Sequence, residues 1–175
     1  MAAFGTAELE AVVPRLRRYA RALTGNREAA DDLTQDTLER AWSKRTLWQP
    51  GTNLRAWMFT VMHNVFINGI RSARPTVSLE DVSADDTGAA SGTSVETGVV
   101  LGELGRALTL LPEEQREVLL LVGLEQFSYA EASDVLGVPV GTVMSRLSRG
   151  RERLRILLEA GGTASERPAN LRRVK

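Results

Sequence analysis

Between Val122 and Arg155 the chain reads VGLEQFSYAEASDVLGVPVGTVMSRLSRGRERLR, and few folds accept such a stretch. Ser128 and Glu131 form an S-x-x-E pair, in which a hydroxyl and a carboxylate reciprocally satisfy the free N–H groups at a helix start. Gly137 supplies the permissive backbone that ends that helix, and Pro139 begins the next segment. Val143, Leu147, Leu154 and Leu158 then recur at helical spacing, so one face of the second helix is apolar. Two helices around a tight glycine turn make a helix-turn-helix. The opposite face carries Met144, Ser145, Ser148 and Arg149, short or flexible side chains suited to base edges in a major groove. Arg146, Arg151, Arg153 and Arg155 reach phosphates or acidic neighbours, and Arg153 and Arg155 also stand at helical spacing from Glu152 and Glu159. The cap, the turn and the apolar spacing together favour contact with duplex DNA over a merely solvated basic face.

The remaining charge is distributed in alternating blocks. Lys and Arg number 10 against 7 Asp and Glu in residues 1–72, 1 against 5 in 73–100, and 11 against 10 in 101–175. A neutral total argues against a polycation that coats nucleic acid through many phosphate contacts, so DNA binding is expected to be focused on particular helices. No cysteine occurs, which leaves no disulfide framework, thiolate nucleophile or cysteine-based metal site and points to a cytoplasmic location. No basic segment followed by an apolar core opens the chain, and no apolar run approaches the ~20 residues of a membrane span. No membrane contact of its own is expected.

The organisation is that of an all-α protein with two small helical domains. Residues 73–98, rich in Ser, Thr, Gly, Ala and Asp, read as a flexible acidic linker with a coil span on the order of 30 Å. They separate a first domain at 1–72 from a second at 99–160, and a basic tail follows at 161–175. In the first domain Leu9, Val12, Val13, Leu16, Tyr19, Ala20 and Leu23 form a helical stripe ending at Gly25. Asn26 caps a second helix whose inward face is Ala30, Leu33, Thr37, Leu38, Ala41 and Trp42, leaving Asp32, Gln35, Asp36, Glu39 and Arg40 outward. PGTN at 50–53 is a turn closing on an Asn N-cap, followed by the stripe Leu54, Trp57, Met58, Val61, Met62 and Val65.

DDLTQDTLERAW from Asp31, PGTNLRAWMFTVMHNVFINGIR from Pro50 and the C-terminal helix-turn-helix together resemble the extracytoplasmic-function sigma factors of bacterial RNA polymerase. The resemblance covers nearly the whole chain, with regions 2 and 4 of that family in order. PGTNLRAW and QREVLLLVGLEQFSYAEA are similar to its alphaproteobacterial general-stress branch. The resemblance implies that Asp32, Gln35, Asp36 and Arg40 dock on the clamp helices of core RNA polymerase. It implies that Trp48, Asn53 and Asn64 receive the opened -10 strand, by stacking and amide hydrogen bonds. It places Met144, Ser145, Arg146, Ser148 and Arg149 in the -35 element of promoter DNA. Met144 departs from the basic residue usual at its position, and Ser133 and Gly150 stand where alanines are expected. Gly150 is expected to loosen its helix. Part of the apolar surface around Val118 to Leu121 is expected to meet the polymerase flap. An anti-sigma factor is implied as a partner in a stress response.

Other classes fit less well. A conventional helix-turn-helix regulator has no use for the PGTN loop or the docking helix. A sigma-mimicking protein that titrates an anti-sigma factor needs no arginine-rich reading helix. An enzyme would need a site: there is no phosphate-cradling glycine loop and no Cys or His nucleophilic pair, and no cofactor is expected. His63, the single histidine, lacks ligand-spaced partners and reads as a surface or DNA-side residue rather than a metal ligand.

Overall fold

The computed structural model describes residues 4–73 and 95–165, and these residues form helices without strands. Helix α1 spans Thr6–Thr24, α2 Arg27–Ser43 and α3 Leu54–Ala73, with a 3-10 turn at Arg45–Leu47 before the PGTN loop. Helix α4 spans Val95–Thr109, α5 Glu113–Leu119, α6 Tyr129–Leu136 and α7 Val140–Ser165, and a π-turn at Leu120–Leu124 extends α5. Residues 74–94, most of the expected linker, and residues 166–175 of the expected tail lie outside the described residues. Helix α4 begins four residues inside the expected linker, and α7 runs past 160. No helix among the described residues is long and apolar enough to cross a membrane.

Local sequence explains the helix ends. Gly25 closes α1 in the left-handed conformation at φ 68°, and its N–H bonds the Arg21 carbonyl. Asn26 caps α2, its side chain accepting from the Ala29 N–H at 3.0 Å. Asn53 does the same for α3, accepting from the Ala56 N–H at 3.2 Å. The apolar stripes then dictate the packing. Leu16, Tyr19, Ala20 and Leu23 of α1, Ala30, Leu33 and Ala41 of α2, and Met58, Phe59 and Met62 of α3 are buried together. In the C-terminal half, Val118 and Leu121 pack with Ala132, Val135, Leu136, Val143 and Leu147.

Two small cores were expected, but here the cores of the two halves meet. The Phe59 ring of α3 stands edge-to-face with Phe127, 5.2 Å between centroids, and with Tyr19 at 5.1 Å. Helix α3 packs on α6, and α1 on α4 and on the π-turn. Trp42, placed inward by helical spacing, is instead 48% exposed, with the Arg45 guanidinium 4.8 Å above its ring. Ala41, one residue earlier, takes the buried position, which turns Trp42 to the outer side of the helix end, and a cation over the ring face stabilises the exposed indole.

Candidate nucleic-acid and polymerase interface

The helix-turn-helix is built as its capping residues dictate. Ser128 Oγ accepts from the Glu131 N–H at 3.2 Å, while Glu131 Oε2 accepts from the Ser128 N–H at 2.8 Å and its hydroxyl at 2.9 Å. These bonds hold the Glu131 carboxyl below the usual carboxylate range. Gly137 turns the chain at φ 64°. Ser133, where alanine was expected, donates its hydroxyl to the Val138 carbonyl and so fixes the turn.

On α7, Met144, Ser145, Ser148 and Arg149 are exposed on one face, opposite buried Val143 and Leu147. Arg149 Nε donates to the Ser145 carbonyl at 3.2 Å, and Ser145 Oγ donates to the Thr142 carbonyl at 3.0 Å. Both side chains are thus folded back along the helix and must turn outward to reach a groove. Arg146 is set apart from this face: it is mostly covered and pairs with Glu114 of α5 at 3.0 Å. Arg155 lies between Glu152 and Glu159 at 2.7 and 2.6 Å, the acidic pairing that its spacing allowed. Gly150 is not a loose point. A Cβ there would stand 3.0 Å from the Leu119 side chain and 3.3 Å from the Gln115 backbone, so glycine permits the close crossing of α5 and α7.

In the N-terminal half Asp32, Gln35, Asp36 and Arg40 are all exposed on the outer face of α2. Asp36 and Arg40 line a cleft of about 670 Å³ between α2 and α3 together with Glu39, Lys44, Asn64 and Asn68. Asp36 and Arg40, assigned by resemblance to polymerase, thus share a cleft with Asn64, assigned to the melted strand, while Asp32, Gln35, Trp48 and Asn53 do not line it. Asn64 is exposed there. Asn53 is committed elsewhere: besides capping α3, its amide donates to Glu131 Oε1 of α6 at 3.4 Å. Trp48 is 8% exposed and packs against Phe4, 5.8 Å between ring centroids, and Trp57 also meets Phe4 at 5.7 Å. Its ring is not presented for stacking in this arrangement, and its buried Nε1 has no partner among the described residues. Phe4, near the N-terminus, carried no periodic signal that would have revealed it.

Several polar and charged residues acquire partners that sequence reasoning missed. His63 is not a surface residue: its Nδ1 lies 2.7 Å from Oε1 of buried Glu117 on α5. Arg116 donates to the Leu23 carbonyl at the end of α1 and to the Thr109 and Leu111 carbonyls around the end of α4, joining the two halves through their open helix ends. Burial lowers its pKa, opposed by Glu113 and Glu117. Glu125 is fully buried against Arg18 and Arg15 of α1. The Tyr19 hydroxyl is raised well above its ordinary pKa, by burial first and then by Glu117 and Glu125. Among the described residues no cluster of three or more His, Asp or Glu side chains could hold a metal ion.

Comparison with known proteins matches the two halves separately and together. The family model for the Sigma2 domain of PhyR matches residues 9–63, and that for Sigma-70 region 4 matches residues 101–154. Over 155 residues the chain is 41% identical to the ECF RNA polymerase sigma factor EcfG of Rhodopseudomonas palustris, covering 89% of this chain and 85% of that one. It is similar to the sigma factor RpoE of Bartonella quintana, solved with the anti-sigma factor NepR, with 36% identity and a TM-score of 0.74 over 87% of this chain and 95% of that one. CnrH, solved with the cytosolic domain of CnrY, is 26% identical with a TM-score of 0.62 over 88% and 84%.

Proposed function

This chain belongs to the extracytoplasmic-function sigma factors of RNA polymerase, and from that premise we propose how its residues divide the work of promoter-specific initiation. The outer face of α2, through Asp32, Gln35, Asp36 and Arg40, docks on core polymerase. Paired charges and amides that are exposed and mostly uncommitted suit a polar partner helix, where complementary charge sets orientation and rate of encounter. Asn64, lining the same cleft as Asp36 and Arg40, receives the opened -10 strand, and Asn53 joins it once released from Glu131. Trp48 takes part in stacking only if Phe4 is displaced. Met144, Ser145, Ser148 and Arg149 enter the major groove of the -35 element, Arg149 reading base edges, while Arg146 braces α7 against α5.

The observation that supports this reading is the cleft between α2 and α3, which Asp36 and Asn64 both line. Polymerase binding and capture of melted bases are thereby coupled in one small domain, an arrangement a duplex-only regulator does not need. The likeness to RpoE, solved with the anti-sigma factor NepR, supports control of this chain by an anti-sigma factor; release in the cytoplasm during a stress response belongs to the same proposal. The test is a pair of binding measurements. Asp36→Arg should weaken binding to core polymerase and leave binding to isolated -35 duplex intact, and Arg149→Ala should do the reverse. If both variants keep both affinities, the division of labour is wrong.

A further inference from the structure

On the side of α2 away from the cleft of Asp36 and Asn64 lies a second cleft, of about 500 Å³, between α1 and α2. Arg17, Arg18 and Arg21 of α1 and Arg27 of α2 line it, against a single carboxylate, Asp31. Its size falls within the roughly 300–1,000 Å³ of small-molecule sites.

The fold makes little use of this charge. Arg17 and Arg21 are exposed, stand one helical turn apart and form no ion pair among the described residues, so as like charges at i, i+4 they repel. Arg27, the first residue of α2, puts a cation at the positive end of the helix dipole. Its partner Asp31 is 4.0 Å away, and both side chains are exposed, which makes the pair weak. Arg18 gives Nε and Nη2 to Glu125 and the Leu124 carbonyl, while its Nη1 carries no bond among the described residues. Only Arg21, in the last turn of α1, is favoured by its position. Cations gathered in a concavity around one weakly held counter-charge attract and concentrate an anion.

The lining also selects the kind of anion. Guanidinium forks match phosphate oxygens in pairs, where lysines would offer only point charges. Arginines on both α1 and α2 call for negative charge at more than one place, which a chain of phosphates supplies and a lone carboxylate does not. The Thr34 hydroxyl is already given to the Ala30 carbonyl at 2.7 Å, and no aromatic ring lines the cleft to stack a base. We propose that this cleft binds an oligophosphate, recognised by its phosphate chain whether that chain is inorganic or the tail of a nucleotide. The consequence rests on the docking reading above. Gln35 belongs both to this cleft and to the face assigned to core polymerase, so bound oligophosphate and docked polymerase oppose each other. By linkage each weakens the other by the same factor.

Calorimetric titration of the full chain with tripolyphosphate, adenosine triphosphate and orthophosphate, at fixed ionic strength and without divalent cations, tests the site. Tripolyphosphate should bind once per chain and at least ~10-fold more tightly than orthophosphate. Adenosine triphosphate held more tightly than tripolyphosphate identifies a nucleotide as the source of the chain, and the reverse order identifies an inorganic one. Arg17→Ala/Arg21→Ala, and separately Arg27→Ala, should weaken tripolyphosphate binding at least ~10-fold with helix content unchanged. Arg71→Ala/Arg153→Ala, which removes two exposed arginines outside the cleft, should leave it intact. Saturating tripolyphosphate should raise the Kd of the wild-type chain for core polymerase and leave that of Arg17→Ala/Arg21→Ala unchanged. Absence of tripolyphosphate binding, or equal losses in all the arginine variants, would overturn the site. A single-stranded oligonucleotide held more tightly than tripolyphosphate by the same arginines would overturn it in favour of a strand backbone. Cleft binding without a shift in polymerase Kd would overturn the opposition. Cleft binding in a chain whose Asp36→Arg variant keeps wild-type polymerase affinity would uphold the oligophosphate site and remove the docking reading instead.

Discussion

Removing the Ser128 hydroxyl should weaken the protein by about 1 kcal/mol, within the ~0.5–2 kcal/mol span typical of lost N-caps. The hydroxyl both accepts from the Glu131 N–H and donates to the Glu131 carboxylate. Ser128→Ala leaves one of the first N–H groups of α6 without its partner, and α6 has only eight residues over which to absorb the loss. The Ser128 N–H to Glu131 Oε2 bond survives, which keeps the cost near the middle of the range. Because α6 also packs on α3, the loss should be felt by the whole chain as one transition. Urea unfolding followed by circular dichroism should show a lower midpoint at unchanged slope. The charge on Glu131 adds a pH signature. Its folded pKa is depressed, chiefly by the Ser128 backbone bond, so its contribution is fully present above the ordinary carboxylate range and is lost as pH falls through the folded value. The stability gap between wild type and Glu131→Gln should therefore be open at neutral pH and narrow in acid. A Ser128→Ala midpoint equal to wild type, or a Glu131→Gln gap that widens as pH falls, would refute the capping argument.

Three further outcomes follow from the geometry. Gly25→Ala should destabilise by the ~1–2 kcal/mol of a left-handed residue, since the near Thr109 methyl ends an exposed side chain that can turn aside; thermal unfolding measures it. Gly150→Ala should fail to raise the melting temperature despite the ~1 kcal/mol propensity advantage of alanine, since the added methyl meets Leu119 and the Gln115 backbone. Arg149→Ala should reduce discrimination between cognate and mutated -35 duplexes by roughly 1–3 kcal/mol, whereas Arg146→Ala should act mainly on stability through its Glu114 pair, and titrations against both duplexes separate the two.

Much of this protein was legible before its structure. The caps at Asn26, Asn53 and Ser128, the glycine stops at Gly25 and Gly137, and the stripes of α1, α3 and α7 depend on neighbours within a few residues, and all appear where local chemistry puts them. The outward faces of α2 and α7 were legible for the same reason, since exposure is the complement of the stripe. What was hidden depends on residues far apart in the chain. Glu117 and Glu125 look like ordinary surface carboxylates in sequence, yet they are buried because His63, Arg15 and Arg18 come to them from the other half. Trp48 lost its exposed role to Phe4, which lies 44 positions earlier, the difference of their residue numbers. Trp42 failed in the opposite direction, because its neighbour Ala41 takes the buried place and only one of two adjacent helical positions can face the core there.

The most direct test is run-off transcription with purified bacterial core polymerase, this chain and a library of genomic promoters. The account predicts discrete start sites that require the chain, that weaken with Asp36→Arg through loss of polymerase binding, and that lose their -35 preference with Arg149→Ala. Polymerase that binds the chain yet starts nowhere, or start sites indifferent to both substitutions, would contradict it.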